Sequence, residues 1–218
     1  MRIGVLGTGV VGQTIASKLI ELGHDVTMGS RSATNERVVA WAAGAGERAH
    51  AGTMADAAAS GEIVINATSG AATLEALNAA GAANLAGKVL IDISNPLDHS
   101  TGFPPTLLTV NTDSLGEQVQ RAFPDARVVK TLNTVNADVM VNPGLIDGGH
   151  AIFVSGNDDD AKQTVATLLR SFGWGEDDIV DLGDITTSRG PEMYLALWIR
   201  VRMKLGISHF NIRLVQGQ

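Results

Sequence analysis

Three glycines near the start of the chain stand where a phosphate group could be held. Gly7, Gly9 and Gly12, in "GVLGTGVVGQTIASKL", have G-x-G-x-x-G spacing between a short apolar run and a stretch of helix formers. In that context each glycine has its own task. Gly7 permits a tight turn, Gly9 lets the backbone approach a pyrophosphate, and Gly12 allows close packing of helix on strand. Free N–H groups at the helix start then meet the phosphate charge. The bland alternative is a glycine turn that merely links strand and helix, and the flanking elements weigh against it. The segment from Val5 to Ala16 therefore reads as a dinucleotide-binding turn.

The end of the second strand decides which dinucleotide. An acidic residue there would bond a ribose 2′-hydroxyl. The chain has "VTMGSRSATNE" instead, with Ser30 and Arg31 in that place. The planar guanidinium of Arg31 suits a 2′-phosphate, so NADP(H) is expected over NAD(H).

In open α/β sheets the ligand lies outside the carboxyl ends of the strands. Three further strand ends carry small or polar residues: Thr68 and Ser69 after the fourth, Ser94, Asn95, Pro96 and Leu97 after the fifth, and Asn133 after the sixth. Asn95 and Asn133 are expected to bond a carboxamide or a substrate carbonyl, with Pro96 shaping an apolar wall. Asn and Pro also favour turns on their own account, so the weight rests on the cluster. Lys130 could serve as a general acid, but it falls before its strand end and reads rather as a structural surface lysine with a buried stem. His24, after Gly23, reads as part of a helix C-terminus. His99, in "NPLDHSTGF", is kept with Asn95 and Asn133 as a catalytic candidate. The histidines show no metal-ligand spacing, so no metal is expected. Tyr194 has no Y-x₃-K partner, since Trp198 occupies that place.

These residues need a frame. Apolar runs read as strands at Arg2–Leu6, Asp25–Gly29, Ile63–Ala67, Val89–Ile93, Arg127–Thr131 and Ala151–Ser155. Helices are read at Val10–Leu22, Asn35–Ala43, Gly70–Ala80, Ser114–Phe123 and Asp158–Phe172, with a weaker strand at Arg48–Ala51 and helix at Met54–Ser60. "IVINAT" and "KVLIDIS" are continuous apolar runs, as in strands buried on both faces. The alternation predicts an α/β, doubly wound (Rossmann), mostly parallel sheet. Gly102–Asn111, with Pro104 and Pro105, reads as an irregular loop. In the tail, "EMYLALWIRVRMKLG" alternates like a strand from Ile199 but also sets Leu197, Val201 and Leu205 at helical spacing. Its helix formers favour a helix stopped by Gly206. The expected organisation is a nucleotide-binding domain over 1–183 and a C-terminal helical extension over 184–218. Met193, Leu197, Trp198, Val201 and Leu205 form an apolar set that needs covering, within the chain or by a second copy in a homodimer.

Composition bounds the rest. With 44% hydrophobic and 18% charged residues the chain is of the compact, folded class. A net charge of −7 without a basic block argues against nucleic acid. There is no cysteine, hence no disulfide and no thiol nucleophile. No run approaches the ~20 apolar residues of a membrane helix, and no signal-peptide layout precedes the first strand. A cytoplasmic protein without membrane contact is expected.

"RIGVLGTGVVGQTIASKLIELGHDVTMGSR", "DISNPL" and "SLGEQVQRAFPDARVVKTLNTV" resemble the NADPH-dependent coenzyme F-420 reductase family over roughly Met1–Leu182. The cytosolic domain of transmembrane ferric reductases is similar over the same stretches. The resemblance implies a hydride moving between NADP(H) and a flavin-like acceptor such as F-420. It also implies that Gly7, Thr8, Gly9, Val10, Val11 and Gly12 hold pyrophosphate, that Ser30 and Arg31 hold the 2′-phosphate, and that Asn95–Leu97 with Asn133 border the nicotinamide. After Leu182 the chain departs from the archaeal reductases and looks like bacterial NADP-binding proteins described only as predicted oxidoreductases. Two other readings stand beside this one: an NADPH-binding redox sensor without turnover, and a small imine or keto-acid reductase, whose substrates usually need a larger helical domain than this tail.

Overall fold

The computed structural model describes residues 1–215 and 217. The elements run β1 (Arg2–Leu6), α1 (Val10–Glu21), β2 (Asp25–Ser30), α2 (Glu36–Ala45), β3 (Ala49–Thr53), α3 (Met54–Ser60), β4 (Ile63–Asn66), α4 (Thr73–Ala80), α5 (Ala82–Leu85) and β5 (Val89–Asp92). They continue with β6 (Leu97–Asp98), β7 (Thr106–Leu107), α6 (Leu115–Ala122), β8 (Arg127–Thr131), α7 (Ala137–Val141), β9 (Ile152–Gly156), α8 (Asp159–Phe172), β10 (Ile179–Asp181) and α9 (Arg189–Leu205). The main sheet has the order β10-β9-β8-β5-β4-β1-β2-β3. Its direction of winding reverses at β1 and β4, where such sheets bind ligands. "IVIN" in β4 and "VLID" in β5 are buried throughout, as strands covered on both faces must be.

Helices cover the two faces over separate cores. On one face Ile15, Ala16 and Leu19 of α1 meet Val165, Leu168 and Leu169 of α8 across the sheet residues Ile3, Val5 and Ile91. On the other, Ala57 of α3, Leu77 of α4 and Val119 of α6 pack on Leu6, Val64, Leu90 and Val128. Local sequence sets the helix starts: Asn35, Thr53, Ser114 and Asp158 each cap one with a side-chain oxygen. Gly23 and His24 close α1, with His24 N–H donating to the Leu19 carbonyl and Gly23 N–H to that of Ile20.

Several elements differ from the sequence reading. The stretch read as an irregular loop at Gly102–Asn111 contains β7, which pairs antiparallel with β6. Two-residue strands carry no periodicity to detect. The same holds for α5, α7 and β10. β9 runs antiparallel to β8. An antiparallel strand starts at the end where its neighbour stopped, so the β8–β9 connection needs no full crossover helix. The tail is the helix α9, ended by Gly206 in the left-handed conformation. It buries Leu195 and Ile199, whereas Leu197 and Leu205 of the expected apolar set are exposed. Beyond Gly206 the chain returns to the sheet, where Ala151 N–H donates to the Ile212 carbonyl. No helix among the described residues is long and apolar enough to cross a membrane.

Candidate functional site

The glycine turn closes β1 onto α1 with each glycine in a different environment. Gly7 has φ +116°, and a Cβ there would stand 2.6 Å from the Ala67 carbonyl oxygen. A Cβ on Gly12 would run into the Gly7 carbonyl oxygen. Gly9 has no atom within 4 Å of its Cβ position, so the backbone is bare on the side where a ligand would approach. Gly9 also begins α1 with no side-chain cap, in contrast to α2, α3, α6 and α8. The first-turn N–H groups of α1 are therefore left for solvent or an anion. Gln13, which the motif did not single out, donates from Nε2 to the Thr8 carbonyl at 2.8 Å and braces the turn.

A hollow of about 360 Å³ extends from this turn to the end of β2, lined by Gly7, Thr8, Gly9, Ser30, Arg31 and Asn35 on one side and by Thr68, Ser69 and Glu75 on the other. Arg31 is exposed and makes no ion pair among the described residues. Ser30 is buried, and its hydroxyl donates to the Ser32 carbonyl while accepting from Ser32 N–H. Ser30 thus shapes the loop that presents Arg31 before it can serve as a free donor. Asn35, which caps α2, lines this hollow as well.

A second hollow, about 330 Å³, lies between the ends of β4 and β5 and is lined by Val11, Thr68, Ser69, Ser94, Asn95, Leu97 and His99. Asn95 and Asn133 are brought together: Asn95 Nδ2 donates to the Asn133 carbonyl at 2.9 Å, and Asn133 Nδ2 to Asn95 Oδ1 at 3.0 Å. Asn133 is buried, so it acts on the hollow by holding Asn95. Pro96 is buried behind the wall and accepts from Leu108 N–H at 2.7 Å. His99 is exposed at the rim. A third hollow, about 280 Å³, shares Val11, Ile93 and Asn95 with the second and opens between α1, α7 and α9; Val10 and Asn133 line it.

Beneath Asn95 lies a polar network that the sequence did not reveal. Lys130 is wholly buried and is not the surface lysine expected from its position. Its Nζ meets Asp92 Oδ2 at 2.8 Å, Glu192 Oε1 at 2.9 Å and the Ser94 carbonyl at 2.6 Å. Burial alone would lower its pKa, but the Asp92 and Glu192 carboxylates outweigh that and hold it raised. Lys130 therefore stays a cation, fixed by structure rather than free to donate a proton. Asp92 Oδ1 accepts from Asn66 Nδ2 and Ser94 Oγ, and Thr68 Oγ1 donates to Asn66 Oδ1. Glu192 accepts from the N–H groups of Leu115 and Gly116 at 2.8 and 2.9 Å. The strand ends that line the second hollow are thus tied to each other and to the first turn of α9. Among the described residues no group of His, Asp or Glu could hold a metal ion.

The family described as NADP oxidoreductase coenzyme F420-dependent matches residues 2–96. A candidate F420-dependent NADP reductase from Arthrobacter sp. FB24 is 54% identical, with a TM-score of 0.93, covering 99% of this chain and 100% of that one. Rat (Rattus norvegicus) metalloreductase STEAP3 is 27% identical over 194 residues, which are 88% of this chain but only 36% of that protein. The chain therefore spans little more than a third of that relative. A reductive aminase from Aspergillus terreus, solved with NADPH and ethyl-5-oxohexanoate, shares the fold at 19% identity and a TM-score of 0.64, covering 94% of this chain and 62% of that one.

Proposed function

Because the chain belongs to the coenzyme F420-dependent NADP oxidoreductase family and is an NADPH-dependent oxidoreductase, we propose that its acceptor is a flavin-like or deazaflavin ring such as coenzyme F-420. NADPH, when bound, supplies a hydride from its nicotinamide ring. The chain's residues bind and orient. The bare backbone at Gly9 and the uncapped start of α1 receive the pyrophosphate, and Arg31 takes the 2′-phosphate through its donor fork. Thr68, Ser69 and Asn95 border the nicotinamide.

One observation carries the reading of the acceptor. Three polar side chains at the second hollow are spent on bracing neighbours, Thr68 on Asn66, Ser94 on Asp92 and Asn95 on Asn133, while His99 stands at the exposed rim. A site so braced holds a ring in position better than it moves protons. That suits a conjugated acceptor, which spreads the incoming charge over its own ring. The test is to mix the protein with NADPH and either F-420 or FMN and follow the nicotinamide and deazaflavin absorbance bands. NADPH oxidation that requires the acceptor is expected. Tight NADPH binding without turnover on any such ring would overturn the acceptor and favour a sensing module.

A further inference from the structure

Two buried polar atoms point to a ligand in the third hollow. Thr134 is 1% exposed, lines that hollow, and its Oγ1 has no hydrogen-bond partner among the described residues. The Nε1 of Trp198, from α9, is likewise buried and without a partner, and Trp198 lines the same hollow. Folded proteins rarely leave such groups unpaired, so each one asks for an explanation. Trp Nε1 only donates, whereas a Thr hydroxyl donates or accepts. Much of the remaining wall is apolar, with Val10, Val11, Met140 and Leu195. Phe210 stacks on Trp198, with ring centroids 5.2 Å apart and planes 21° from parallel. That stack fixes the indole plane and with it the direction of the N–H.

We propose that this hollow is the acceptor's site, and that Trp198 and Thr134 are its specificity-determining residues, hydrogen-bonded to a ring oxygen or nitrogen of a flat conjugated heterocycle. The inference rests on the flavin-like acceptor proposed above and says where it sits. The hollow shares Val11, Ile93 and Asn95 with the one assigned to the nicotinamide, so the two rings would be neighbours. In the transfer a C–H bond of the nicotinamide breaks and its two electrons form the new bond to the acceptor ring. The nicotinamide is oxidised and the acceptor reduced, and the negative charge gathers on the acceptor's conjugated oxygen or nitrogen until water protonates it. Hydrogen bonds from Trp198 and Thr134 to that atom would stabilise the charge as it forms.

The test uses Trp198→Phe, which keeps an aromatic ring and removes the donor, and Thr134→Val, which keeps the shape and removes the hydroxyl. With FMN or F-420 as acceptor, each should raise the acceptor KM or lower kcat by about tenfold, leaving the NADPH dissociation constant unchanged. FMN or F-420 alone should quench tryptophan emission of the wild type, and W198F should lose the share of that quenching that Trp198 contributes. Normal turnover with unchanged acceptor constants in both variants overturns the site and leaves the acceptor class standing. Quenching that depends on Trp198, without NADPH oxidation, supports a ring-binding site and overturns hydride transfer to that ring. Neither quenching nor turnover overturns both. A loss of NADPH affinity in W198F equal to the loss for acceptor overturns the assignment, because Trp198 would then serve the cofactor.

Discussion

The proposed role of Arg31 rests the choice between two cofactors that differ by one phosphate on a single side chain. Its guanidinium is exposed beside the hollow that begins at the glycine turn, and no carboxylate among the described residues neutralises it. Replacing it with Glu sets a negative charge where a dianion would sit. Arg31→Glu should weaken NADPH by about ten- to a hundredfold, the range for a lost charge-assisted hydrogen bond, while NADH changes little. Parallel titrations of both nucleotides check this, and equal losses would remove the 2′-phosphate from this loop. Arg31 was legible because sequence neighbours define its place: it follows a strand end by one residue. Ser30 was legible in position, but its bonds to Ser32 were not, since they depend on the local loop path. Lys130 was misread for a deeper reason. Its partners Asp92 and Glu192 lie on other elements far along the chain, and nothing in "VVKTLN" announces that two carboxylates will close around it.

Among the elements, the β1–α1 unit separates folding from binding within one motif. A Cβ at Gly12 collides with the Gly7 carbonyl and must push α1 off the sheet, whereas a Cβ at Gly9 meets open space. Gly12→Ala should therefore cost about 1–3 kcal/mol of stability, as overpacking does, and should lower the melting temperature. Gly9→Ala should leave the melting temperature nearly unchanged and weaken NADPH, because its methyl stands where the pyrophosphate would lie. Thermal melts with and without NADPH distinguish the two, and similar melting temperatures for both variants would contradict the packing role of Gly12. The long helices α1 and α8 were readable from their periodicity, and the short strands β1, β4 and β5 from their continuous apolar runs. β6, β7, α5 and β10 were not, because their two to four residues express neither a period nor a distinct apolar run. The reversal of β9 was hidden too, since direction depends on where the preceding loop ends in space rather than on the strand's own residues.

Across the whole molecule, α9 connects the tail to both the sheet and the α6 region. Glu192 reaches Lys130 under the site, and Arg189 makes a bidentate pair with Glu117 of α6 at 2.6 and 2.8 Å. Trp198 lies two turns further along the same helix. The attachments of α9 therefore bear on the geometry of the third hollow, and one of them, together with an ion pair within the α6 region, is acid-sensitive. The hydrogen bond from Arg189 is the chief cause that lowers the pKa of Glu117 below 4.5. Arg121, hydrogen-bonded to Asp113 just before α6, lowers the pKa of that carboxyl from 3.8 to about 2. Carboxyls with depressed folded-state pKa values stabilise the fold at higher pH and lose that contribution as they are protonated. Stability should then hold above about pH 5 and fall as pH drops from 4.5 toward 2. The double variant Asp113→Asn, Glu117→Gln should be less stable at neutral pH and should fall less steeply through that window. Urea unfolding at a series of pH values measures both slopes. Identical slopes would show that acid sensitivity arises elsewhere and that neither the Glu117–Arg189 contact between α6 and α9 nor the Asp113–Arg121 pair of α6 contributes to it. A shallower slope, joined to acceptor binding that weakens over the same window in the wild type alone, would tie the C-terminal helix to the site that its Trp198 lines.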